Sequence, residues 1–272
     1  MPAATLLRAQ IEASLAGRIP SALTPVPRTI RPVLPTGVGC VDTLLHGGLP
    51  VGAITEIVGA DSSGRTSLAL SFLAQCTQAS RVCAWVDVSD ALHPESAAAS
   101  GVDLARLLWI RCGAVTNTIL PRGGKPWSRI DQALRVTDLL LQAGGFGAVV
   151  LDMGSVAPEF ASRVPMATWF RYRAAAERSQ ASLLLLTQHA CAKSSAGLLL
   201  HLQPGAALCD GATVFTGLTY RLAVARERFK PASSNVIPLR RPSQRTDEIG
   251  WQSHTPWSGG RRSGTETETG HR

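Results

Sequence analysis

Residues Gly59 to Ser67 read GADSSGRTS and follow directly on Ala53-Ile-Thr-Glu-Ile-Val58. The nine residues carry the G-x-x-x-x-G-[K]-[ST] spacing of a phosphate-binding loop, with Arg65 where lysine is usual. The run before them is apolar and β-branched and predicts a buried strand. The run after them, Ser67-Leu-Ala-Leu-Ser-Phe-Leu-Ala-Gln-Cys76, predicts a helix. Strand, Gly-rich turn and helix together aim backbone N–H groups and a helix N-terminus at one point, which suits a polyphosphate. The alternative is a Gly-Ser turn that matches the spacing by chance.

Working outward, strands are predicted at Val82–Asp87, Leu107–Cys112, Gly147–Asp152 and Ser182–Gln188. One or two more are predicted within Val214–Arg226, where Tyr220, Leu222 and Val224 alternate with Arg221, Ala223 and Ala225. Helices are predicted at Ser128–Leu141, with Ser128 and Asp131 as capping residues and Gly144-Gly145 as its stop, and at Met166–Ser179. In the second, Trp169 and Phe170 are expected to face inward. Strands alternating with helices imply an α/β fold, a mostly parallel twisted sheet covered on both faces. Ligands of such sheets bind beyond the carboxyl ends of the strands, where the phosphate loop lies.

The ends of the chain differ in character. Leu7, Ile11 and Leu15 recur at helical spacing within residues 3–17, and prolines 20, 25, 27, 32 and 35 follow. Residues 1–33 therefore read as a short amphipathic N-terminal helix and an extended linker, and 34–229 as the core. Residues 230–272 turn to Pro, Ser, Arg, Thr and Gly and read as a disordered basic tail. Trp251 and Trp257 stand out there; each is an anchor for a partner surface, a residue packed loosely on the body, or there by chance.

The 272 residues carry a net charge of +8 and 45% hydrophobic residues, with mean hydropathy +0.11. These values suit a globular protein, and a basic balance fits contact with nucleic acid or an acidic partner as well as a solvated basic surface. No apolar run approaches the roughly 20 residues of a membrane span. The N-terminus has no secretory pattern, and six scattered cysteines without a C-x-x-C pair read as reduced thiols, so a cytoplasmic location is expected.

From Leu34 to about Arg226 the sequence resembles the RecA recombinase family. The likeness rests on TGVGCVDTLLHGGLPVGAITEIVG, on GADSSGRTS, on DVSDALHPESAAASGVDLARLL, on the strand VVLD and on the strand ending in Gln188. It implies a nucleotide site in which Gly59, Ala60, Asp61, Ser62, Ser63, Gly64, Arg65, Thr66 and Ser67 cradle phosphates. It further implies that Thr66 and Asp152 hold Mg²⁺ and that Gln188 senses the terminal phosphate of ATP. Three positions depart from the family pattern. Arg65 is bulkier and more planar than lysine. Ser89 stands where a glutamate would activate water, and serine is a poor base at neutral pH. Ser96 replaces a tyrosine that would stack on adenine.

With these three departures in one pocket, the resemblance implies lost or very weak hydrolysis, either nucleotide binding without turnover or a relic turn. The family's DNA-contacting loops correspond to Met153–Pro165 and His189–Leu208, both poor in cations. A short core of this kind with a basic tail is similar to the ImuA group of accessory proteins in SOS mutagenesis. That likeness implies a RecA-type recombinase, an ImuB-like Y-family protein and an error-prone polymerase complex as partners; the amphipathic N-terminal helix, through Leu7 and Ile11, is expected to dock on the first. Two other readings remain: a DNA-dependent ATPase using Arg65 and Asp90, and a non-catalytic module for single-stranded DNA.

Overall fold

The structure, a computed structural model, describes residue 6 and residues 31–113, 128–210, 214–228 and 248–254. Leu7, Ile11 and Trp257 lie outside them. The strands are β1 (Val33–Leu34), β2 (Leu49–Pro50), β3 (Ile54–Gly59), β4 (Cys83–Asp87), β5 (Leu107–Arg111), β6 (Ala148–Asp152), β7 (Ser182–Thr187), β8 (Leu198–Asp210), β9 (Val214–Glu227) and β10 (Glu248–His254). The helices are α1 (Gly39–Leu44), α2 (Arg65–Gln78), α3 (Pro94–Ala99), α4 (Arg129–Ala143), α5 (Pro158–Ala161) and α6 (Met166–Ser179).

Eight strands form one sheet in the order β10-β9-β8-β3-β7-β6-β4-β5, and β1 pairs with β2 apart from it. From β8 to β5 all neighbours run parallel; β9 and β10 are antiparallel additions at one edge. The period of two in the buried strands sorts their side chains between two cores. Val150, Leu184 and Leu186 turn to the face covered by α2, through Leu68, Phe72 and Leu73. Val149, Leu151, Leu183 and Leu185 turn to the face covered by α4 and α6, through Leu141, Trp169 and Tyr172. Both faces of the parallel part are closed, as parallel strands require.

Local chemistry sets the helix ends. Ser128 and Asp131 form a complete capping box on α4, which stops at Gly144 with φ 71°. Each such cap contributes about 1 kcal/mol. The registers Asp87↔Asp152 and Asp152↔Leu186 bring the carboxyl ends of β4, β6 and β7 level, with the loop after β3 alongside.

Three expectations are corrected. Phe170 is 48% exposed, because helical periodicity places Trp169 and Tyr172 inward and turns residue 170 to solvent. Leu198–Leu208 is not a loop: it belongs to β8, whose backbone bonds are taken by β3 and β9. Glu248–His254 is not disordered tail but an edge strand on β9, with Trp251 opposite Tyr220. The backbone bonds of β9 compensate there for the polar composition that argued against structure. Among the described residues no helix is long and apolar enough to cross a membrane.

Candidate nucleotide site and its internal arginine

The loop 59–64 turns so tightly that two glycines are required. A Cβ on Gly59 would lie 2.4 Å from Ser63 Oγ and 2.5 Å from the Leu202 carbonyl. Gly64 sits at φ +88°, and a Cβ there would lie 2.6 Å from Tyr220 Cδ1. Gly64 is the N-cap of α2 and offers no side-chain acceptor to the helix, so its first N–H groups are left for another partner. Around this terminus lies a cavity of about 230 Å³, lined by Asp61 to Ser67, Ala91, Asp152, Gly154, Ser155, Leu186 and Tyr220. The Ser63 hydroxyl is buried beside it without a hydrogen-bond partner.

Arg65 is the residue that decides what this cavity can hold. The side chain is buried, and both terminal nitrogens donate to the Gly154 carbonyl at 3.3 Å. Nη2 also donates to Asp61 Oδ1 at 3.2 Å. Burial lowers the guanidinium's pKa, while the charges of Asp152 and Asp61 raise it. A cation at a helix N-terminus is disfavoured by the helix dipole, so these two carboxylates are the compensation that keeps it there. Asp152 in turn has its carboxyl pushed up to about 6, first by burial and also by Asp87; the Gly154 N–H, 2.9 Å from Oδ1, and Arg65 pull it back.

The residues expected at the site divide into those brought together and those kept away. Asp61, Ser62, Ser63, Gly64, Arg65, Thr66, Ser67 and Asp152 share the cavity. Gln188 lies at the end of β7 and donates to the Gly154 carbonyl at 3.1 Å, so it and Arg65 converge on one oxygen. Ser89 and Asp90 stand apart. The Ser89 N–H donates to Asp87 Oδ1 at 3.3 Å, and the wall of the cavity at this turn is Ala91. Asp90, at φ 60°, is held by Arg111 in a two-pronged ion pair at 2.6 and 2.5 Å. The Arg111 hydrogen bonds lower its pKa. A carboxylate so engaged is a poor proton acceptor. Ser96 donates its N–H to His93 Nδ1 as part of the α3 cap and does not reach the cavity.

Sequence reasoning gave Tyr220 no place in the site. It arrives from β9, stands 3.5 Å by its hydroxyl from Ser67 Oγ, and rests on Trp251 with ring centroids 5.0 Å apart. The only sequence signal was its inward phase in the alternation of 220–225.

As the site stands, the cation beside Asp152 is the protein's own Arg65. A divalent ion at Asp152 and Thr66 would share that carboxylate with a guanidinium already beside it. Two unit charges about 4 Å apart repel by roughly 4 kcal/mol at an effective dielectric of 20, before the attraction of phosphate oxygens for both cations is counted.

Comparison with known proteins agrees with this architecture. A model of the RecA N-terminal domain matches residues 27–166. Protein RecA of Francisella philomiragia is 37% identical over 121 residues, which is 44% of this chain and 29% of that protein. Protein RecA of Symbiobacterium thermophilum is 40% identical over 121 residues, 44% of this chain and 30% of that one. The chain thus spans under a third of the length of these relatives. The crystal structure of the RadB recombinase superposes with a TM-score of 0.53 at 18% identity, covering 73% of this chain and 92% of that one, a likeness of fold.

Proposed function

Because this chain belongs to the RecA family through the domain at residues 27–166, we propose that it acts in damage-induced translesion DNA synthesis as a partner-holding subunit whose nucleotide site no longer turns over. In this role it bridges a RecA-type recombinase and an error-prone polymerase complex containing an ImuB-like Y-family protein. The observation that carries the reading is Arg65. Its guanidinium is tied to the Gly154 carbonyl that Gln188 also binds, so the contact between phosphate loop and sensor is made by the protein's own cation. A working motor would make and break that contact with each nucleotide. The engagement of Asp90 by Arg111, with serine at position 89, takes both residues of that turn out of the role of general base.

The test joins two measurements on the full chain. Calorimetric titration with ATP and Mg²⁺ is expected to give no saturable heat, and phosphate release with single-stranded DNA is expected at background. Co-purification with the ImuB-like protein and RecA is expected to survive Arg65→Ala. Rapid hydrolysis abolished by Asp152→Ala would favour the DNA-dependent ATPase instead.

A further inference from the structure

The antiparallel edge of the sheet reaches the phosphate loop through two aromatic rings. β10 ends the strand order and pairs with β9 on one side. Within residues 249–252 Trp251 is buried, Ile249 is half-buried, and Gly250 and Gln252 are exposed. Trp251 stands directly opposite Tyr220 across the pair, where side chains of neighbouring strands meet. Their ring centroids lie 5.0 Å apart with the planes at 40°. α1 also packs on β10, and Cys40 Sγ donates to the Gly250 carbonyl at 3.6 Å.

Tyr220 carries the contact on to the loop. Three of its ring carbons would lie 2.6 to 2.8 Å from a Cβ at Gly64, so the ring rests on that glycine. Its hydroxyl stands 3.5 Å from Ser67 Oγ in the first turn of α2. Gly64 is the left-handed N-cap from which α2 leaves the loop, and it makes no side-chain cap of its own. Glycine has the widest backbone freedom of any residue, so its conformation here depends on what is packed against it. Tyr220 is 5% exposed and touches both Gly64 and Trp251, which makes it the link between the phosphate loop and the edge strand.

We infer that β10 is a strap that holds the phosphate loop in shape through Trp251 and Tyr220, so that lifting β10 loosens the start of α2. A short edge strand with one wholly buried side chain among residues 249–252 opens before the parallel core does. Tyr220 then loses the ring packed on it, and the restraint on Gly64 weakens with it. The coupling is reciprocal by linkage: whatever orders the loop also favours the docked strand. Every contact in this chain is made by the protein itself, so the strap is independent of whether nucleotide enters the cavity and of which partners the protein holds.

Amide hydrogen exchange of the full-length protein, read by mass spectrometry on the peptide 62–69, tests the strap. In that stretch the Ser63 and Leu68 N–H groups donate to the Ala60 and Gly64 carbonyls. Trp251→Ala is expected to speed exchange there at least about tenfold. Leu141→Ala, a truncation of a residue buried on the other face of the sheet, controls for a general loss of stability and is expected to speed it less. In a Tyr220→Ala background, adding Trp251→Ala is expected to change the 62–69 exchange by less than about threefold, because the link is already cut. Should Trp251→Ala fail to fold by circular dichroism, Trp251→Leu takes its place with the same expected direction. Unchanged exchange at 62–69 would overturn the inference. So would equal acceleration by Trp251→Ala and Leu141→Ala, or a full Trp251→Ala effect without Tyr220.

Discussion

Asp152→Asn removes an ionisable group from the cavity while keeping its shape and its acceptor for the Gly154 N–H. In the folded protein the Asp152 carboxyl is pushed up to about 6 from an ordinary 3.8, chiefly by burial. Between those two values the folded state holds a proton that the unfolded chain has already released. Stability therefore falls as pH rises through this window and levels off above it. At about 1.4 kcal/mol per pKa unit, Asp152 takes roughly 3 kcal/mol from the folded state between mild acid and neutrality. The asparagine variant lacks this loss. Its stability relative to wild type is thus expected to grow by about 3 kcal/mol between roughly pH 3.5 and 7.5, whatever constant offset the lost Arg65 attraction adds.

Urea unfolding followed by far-ultraviolet circular dichroism, at closely spaced pH values, measures both curves. Groups that do not interact with Asp152 are common to the two proteins and cancel in the difference. A difference that stays flat within about 0.5 kcal/mol would refute the reasoning. So would a variant losing ground as pH rises, since that would mean Arg65 stabilises the carboxylate more than burial opposes it.

Two further outcomes follow from the same structure. Trp251→Ala removes a buried ring from between β10 and Tyr220 and is expected to cost about 2–4 kcal/mol. Hydrogen exchange of residues 248–254 should rise at the same time; unchanged protection would show that β10 does not rely on that contact. Glu56→Ala leaves the N–H groups of Cys191 and Ala192 without acceptors in a buried place, a loss of about 2–4 kcal/mol. Faster proteolysis within residues 189–197 is expected with it, and Glu56→Gln, which retains one oxygen, should fall between the variant and the wild type.

Much of the frame was legible because it is local. β3, β4, β6 and β7 are short, fully or almost fully buried runs with apolar centres, and the α4 cap is written in Ser128 and Asp131. β8 was hidden because Pro204 and Gly205 fall inside it, and such residues argue against a strand. The sheet accepts them through a register shift between Pro204 and Ala207, and Gly205 lets the Thr219 side chain come within 2.2 Å of where its Cβ would be. β10 was hidden because its seven residues sit in polar sequence and take their order from β9.

The cavity divides in the same way. A phosphate loop between Ile54–Gly59 and the helix that begins at Arg65 was determined by sequence alone, since strand, tight turn and helix start are set by neighbours in the chain. Only the folded molecule decided that Arg65 would reach Gly154, 89 residues on, that Arg111 would hold Asp90, 21 residues back, and that Tyr220 would arrive at Ser67 from 153 residues away. Propensity and spacing act over a few residues, whereas a charge finds its partner through space, so the spacing could mark a site for phosphate but could not tell that an arginine from the same loop would bond within it.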